Sequence, residues 1–269
     1  DQKIQTGTLK NGMQYALFPT TTRDDKTYAT ISVNFGTAES LFNKAEIIEL
    51  TAYLLLRASD QFSLQDIADK SIEAGGRAVA GASENGMTIQ ISAKNEHFED
   101  FFKYIVEVMK NPKFEQSQFD LIKSQSLSSL NRPYTEPETV AALTISRLIE
   151  TYQPGDLRYH FEPELAQKNM QAATVEQVKR LYQDFFNMDH AQIAITGQFD
   201  RKAVLKYLNK NMTAWKAKKG YARLSSSHKD YPAQKVHALA EQREFGNYQG
   251  LLTLPVGVDH PDAAALIVF

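Results

Sequence analysis

The sequence contains six histidines: His97, His160, His190, His228, His237 and His260. They are the first candidates for chemistry, because hydrolases of this size often use a metal. Zinc takes three or four His, Cys, Asp or Glu ligands, usually with two on one helix face at i, i+4. No two of these histidines stand at that spacing, and neither H-E-x-x-H nor H-x-x-E-H occurs. His97/Glu99, His160/Glu162 and His237/Glu241 each place one histidine beside one acid. Such pairs read as solvated or capping histidines rather than ligand sets.

Other catalytic patterns fare no better. The stretch from Gly81 through Ser83 to Asn85 ends in Asn where a nucleophile elbow needs Gly, so Ser83 reads as a hairpin-turn serine. Gly75, Gly76 and Gly81 form neither a dinucleotide fingerprint nor a P-loop. With no cysteine, thiol nucleophiles, zinc fingers, iron–sulfur centres and disulfide scaffolds are excluded. Asp156, Arg158, Tyr159 and His160 make a dense polar cluster in one loop. It reads as an Arg–Asp pair pinning the loop, with a hydrolytic site on His160 as the less favoured reading.

The elements that would position these residues follow from periodicity. The chain has 269 residues, a net charge of −2 and 42% hydrophobic residues, a globular composition that could hold two domains. Near-neutral charge removes the global signature of a nucleic-acid binder, and no apolar run is long enough for a membrane span. Strands are expected over 7–19, with Asn11-Gly12 as the turn, over 26–35, and as a pair over 77–83 and 86–93. Helices are expected over 44–57, from Ser63 to Gly75-Gly76, from an Asn95 N-cap to Lys110, and over 115–131, 136–151 and 174–187. A strand over 191–196 and a helix over 201–209 complete this part. The pattern predicts an α+β fold, a mostly antiparallel sheet with helices packed on one face. Residues 213–233, rich in Lys and Ser, read as a linker rather than a nucleic-acid patch, since interleaved aromatics are lacking. Strands are expected again over 235–239 and 248–254, then a helix from Pro261 that runs into the apolar end at Phe269.

From Leu9-Lys-Asn-Gly-Met-Gln-Tyr15 onward the chain resembles the pitrilysin–insulysin family of zinc metallopeptidases. The resemblance continues through Val33-Asn-Phe-Gly-Thr37, Leu54-Leu-Leu-Arg-Ala-Ser59, Gly75-Gly76, the Thr174 capping box and Ile193-Ala-Ile-Thr-Gly-Gln-Phe-Asp200. The family carries an inverted H-x-x-E-H, in which two histidines bind zinc and the glutamate activates water. Aligned on Leu54 to Ser59, those three positions hold Glu49, Ala52 and Tyr53. A further family ligand, a glutamate, would fall between Phe119 and Arg132, where there is none. Without ligands and base there is no means to lower the pKa of a bound water.

The resemblance therefore implies the non-catalytic half of a two-lobed zinc endopeptidase, akin to the C-terminal half of a long bacterial, periplasmic enzyme. Such a half forms one wall of a chamber around unfolded peptide, has no cofactor of its own, and partners a zinc-bearing half in the same chain or another. It implies a complete domain over 1–212, a linker over 213–233, and over 234–269 the start of a second similar domain, truncated. Peptide would add to the strand Ala78, Val79, Ala80, Gly81, Ala82, whose small side chains permit close backbone approach. An ordinary edge strand with Gly81 marking a bulge is the plainer reading of that segment. The alternative function is a structural or assembly subunit on the same fold.

Overall fold

The computed structural model describes residues 4–131, 134–213, 215, 218–225, 229–240, 244, 246–257 and 260–268. Among the described residues six strands form one sheet: β1 (Gln5–Thr8), β2 (Gln14–Pro19), β3 (Lys26–Asn34), β4 (Arg77–Ser83), β5 (Gly86–Lys94) and β6 (Gln192–Gly197). The spatial order is β1-β2-β6-β3-β5-β4. Every pairing is antiparallel except β2 with β6. Among the described residues the helices are α1 (Ala45–Leu54), α2 (Leu64–Glu73), α3 (Phe98–Lys110), α4 (Gln116–Leu130), α5 (Pro137–Leu148), α6 (Pro163–Ala172), α7 (Val175–Phe185), α8 (Arg201–Asn211) and α9 (Ala263–Val268). This is the expected α+β architecture.

Period-two alternation builds the centre of the sheet. Ile31 of β3 lies between Ile89 of β5 and Ile193 of β6, and Ala29 lies between Ile91 and Ile195. All six are buried, on the same face of their strands. The stripe Phe98, Phe101, Phe102, Ile105 and Met109 of α3 is buried in the same core, as expected from its helical spacing. At the first hairpin Gly12 has φ +98°, and a Cβ there would lie 2.7 Å from the Asp189 carbonyl oxygen. Both capping boxes form. Ser63 and Asp66 satisfy each other's backbone N–H groups at the start of α2, and Thr174 and Gln177 do so at α7.

Four expectations change. Asn95 does not cap α3: its amide oxygen accepts the Thr27 hydroxyl at 2.8 Å and its NH2 donates to Asp25 at 3.1 Å, so the chain turns once more and α3 starts after His97. Helix α6 has no counterpart among the expected elements, although Pro163 at its first turn is a helix-start signal. Residues 235–239 and 248–254 form no strand. Strands need a hydrogen-bonding neighbour, and these find none among the described residues, leaving Leu239 98% and Tyr248 89% exposed.

The fourth concerns the described residues of the stretch after α8, 215, 218–225 and 229–233, several of which are held against the preceding elements. Trp215 packs on Phe186, and Tyr221 bridges to Gly36 and stacks on His190. Leu224 is buried and its N–H donates to Asn85 Oδ1 at 3.0 Å. Arg158 donates to the Ser225 carbonyl at 2.9 Å, and the Tyr231 hydroxyl to the Ile149 carbonyl at 2.7 Å.

Candidate functional site

Helix α1 is the central helix. It packs against α7, α4, α6 and β4, and Ile47, Ile48, Leu50, Thr51, Ala52 and Leu54 are buried around most of its circumference. Its polar side chains Glu49 and Tyr53 are therefore left to the one side not covered, where α1, α2, α4 and β4 enclose a cleft of about 730 Å³. Glu49, Ala52 and Tyr53 line it together with Arg77, Ala78, Val79 and Ala80 of β4 and Gln125, Ser126 and Ser129 of α4. The structure thus brings the three motif positions and the first part of the expected peptide strand into one concavity. Gly81 and Ala82 continue β4 beyond it.

Strand β4 is an edge of the sheet. Among the described residues it pairs with β5 alone, in unbroken register from Arg77 opposite Ser92 to Ser83 opposite Gly86. Gly81 therefore marks no bulge. A Cβ built at Gly81 meets nothing within 4 Å, so the strand is open there. The outward N–H and C=O groups of such an edge are free to pair with another extended chain.

Within the cleft, burial pushes the Glu49 carboxyl above its ordinary pKa, nearby Glu46 adds repulsion, and a hydrogen bond to Ser126 partly offsets both. Burial also raises Glu46, whose carboxylate accepts from Asn169 Nδ2 at 3.4 Å. Tyr53 is 46% exposed, and its hydroxyl is pushed up by desolvation and then by Glu49. These residues do not fit a zinc ion. Ala52 has no donor and cannot serve as base, Tyr53 holds its proton, and Glu49 alone is a single carboxylate. Among the described residues no group of three or more His, Cys, Asp or Glu is placed to hold a metal.

The other candidates lie elsewhere. His97 pairs with Glu96 at 3.3 Å rather than with Glu99. His160 Nδ1 lies 2.9 Å from Glu150, while Glu162 accepts from the Tyr159 hydroxyl at 3.0 Å. Glu241 lies outside the described residues. Arg158 grips Asp156 through two nitrogens, at 2.9 and 2.7 Å, and stacks on Tyr152. That is the loop-pinning arrangement. The guanidinium holds the Asp156 carboxyl below its usual range. Sequence reasoning missed Arg57 and Arg77, which also line the cleft. No motif marks them; their meeting follows from strand order.

Residues 172–269 match the family model described as Peptidase M16 inactive domain. A search of the curated proteins finds no match. Among solved structures, the chain is similar to a peptidase M16 inactive domain from Pseudomonas fluorescens, with TM-score 0.69, 16% identity, 86% of this chain covered and 54% of that one. It is similar to a protease from Helicobacter pylori, with TM-score 0.68, 16% identity and coverage of 83% and 53%. It is also similar to the periplasmic protease PqqL of Escherichia coli, with TM-score 0.67, 16% identity and coverage of 84% and 25%. The chain thus spans about half the length of the first two and a quarter of the third. Its fold is that of the M16 peptidases, the pitrilysin–insulysin class, and its C-terminal third carries the inactive-domain signature of that family.

Among the described residues no helix is long and apolar enough to cross a membrane.

Proposed function

We propose that this chain is the non-catalytic half of a two-lobed zinc metalloendopeptidase, forming one wall of the chamber that holds unfolded peptide. The observation that carries this reading is the cleft itself. A seven-residue open edge strand runs beside motif positions that hold Glu49, Ala52 and Tyr53, so the place where the family activates water is kept as a groove without its catalytic groups. An extended peptide adds to β4 along Ala78, Val79, Ala80, Gly81 and Ala82, and main-chain hydrogen bonds bind it without reading sequence.

Zinc and the general base reside in the partner half. Residues 234–269 open a second domain of the same kind. The periplasm is the compartment, by analogy with PqqL, which is described as a periplasmic protease.

The test is reconstitution with a zinc-bearing half, measuring cleavage of an unfolded peptide. Neither half alone should turn over, and the mixture should. Stoichiometric zinc and turnover on this chain alone, or no gain on mixing, would overturn the proposal.

A further inference from the structure

Two arginines share the cleft without a counter-ion among the described residues. Arg57 follows the C-terminal end of α1 and Arg77 is the first residue of β4, and both line the concavity beside Ala78 and Ala80. Among the described residues neither makes a salt bridge or side-chain hydrogen bond. Arg57 Nε is shielded from solvent and has no acceptor. A guanidinium carries five N–H donors and no acceptor, and its charge persists at any physiological pH. A buried donor left without a partner is costly, so an orphan in a concavity signals a missing acceptor.

Glu49 does not supply it. It is the one acid among the cleft-lining residues, and the groups that act on its carboxyl are Glu46 and Ser126, not an arginine. The cleft thus holds a carboxylate on the middle of α1 and two guanidinium groups from the turn after α1 and the start of β4.

We infer that Arg57 and Arg77 form an anion subsite that captures a carboxylate of the bound peptide. This rests on the strand-addition reading above. In an antiparallel ladder the end of one strand lies opposite the beginning of its neighbour. A C-terminal carboxylate beside Arg77, at the start of β4, thus ends a peptide running antiparallel to β4. Residues further back along that peptide lie beside Val79 to Ala82. Guanidinium–carboxylate pairs have the fork geometry that gives both strength and direction, so the subsite would fix peptide polarity and register, which main-chain pairing alone leaves free.

The test uses three fluorescein-labelled hexapeptides based on Thr-Val-Thr-Val-Thr-Ala. One has a free C-terminal carboxylate, one is its amide, and one is an amide with Glu as the last residue. Binding to the 269-residue chain is read by anisotropy. The free acid should bind roughly tenfold tighter than the amide, the factor expected for a charge-assisted hydrogen bond. R77Q should reduce that preference to less than about twofold. Arg77 is exposed, so this variant should fold, and R57Q should act in the same direction. A Glu-ended amide that binds like the free acid also supports the subsite and assigns it to side-chain carboxylates. Equal binding of all three peptides overturns the subsite and leaves strand addition standing. No binding by any of them overturns both.

Discussion

The sheet ends in two edges that are built differently. β1 is four residues long, and its glycine is covered: a Cβ at Gly7 would lie 2.4 Å from the Tyr15 hydroxyl oxygen. β4 is seven residues long, presents Ala78, Ala80 and Ala82, and is open at Gly81. β1 packs mainly on β2, whereas β4 also meets α1 and α2 and so shares in a cleft. Short edges are one way that proteins blunt unwanted strand pairing. β4 is instead the longer edge, small-residued and set beside a concavity.

The largest expected effect strikes the centre on which both edges depend. Ile31→Ala removes a fully buried side chain between β5 and β6. It should cost roughly 2–5 kcal/mol in chemical denaturation, with both edges lost in one transition. An unfolding profile in which β4 melts separately would break the picture of a shared core.

Proline at 79 and proline at 80 sharpen the contrast next. Successive residues of an antiparallel strand point their N–H groups to opposite sides. One of the two variants therefore breaks the ladder to β5 and should lose about 1–3 kcal/mol. The other should keep its stability and lose peptide binding. Thr6→Pro on β1 should leave peptide affinity unchanged; a loss there would show that peptide uses the other edge.

Glu49 gives a pH-dependent test. Burial, then Glu46, raises its folded-state pKa, so the charged form is penalised in the native cleft. The penalty is present above the folded pKa and disappears as pH falls through it. Glu49→Gln should accordingly stabilise the fold at neutral pH by no more than about 1 kcal/mol, because the site is partly solvated. That gain should vanish in the acidic range. A gain that grew on acidification would reverse the assignment.

The smallest effect compares the two edge glycines. Gly81→Ala enters open space and should be neutral or stabilising by up to about 1 kcal/mol. Gly7→Ala must displace the Tyr15 ring and should be the worse tolerated of the two in thermal melts. Equal melting temperatures would remove this distinction between the edges.

Much of the fold was legible because its signals are local. The alternation in β3, the Asn11-Gly12 turn, the apolar stripe of α3 and both capping boxes depend on residues within a turn or two of each other. Asn95 shows where local reading fails: it is a good cap residue, but Thr27 and Asp25 claim its side chain. The stretch over 218–225 fails for the same reason. Its composition is that of a linker, yet Gly36, Asn85 and Arg158, distant in sequence, hold it down.

By itself the sequence determined the α+β class and most element positions, since periodicity, turn residues and caps are written in the chain. Only the tertiary structure decided that β6 inserts between β2 and β3 and that β4 is left as an edge. Strand order depends on which apolar faces meet, and periodicity does not encode it. The same packing brought Arg57 and Arg77, twenty positions apart, to one cleft without a counter-ion among the described residues. An unpaired charge is a property of three-dimensional surroundings.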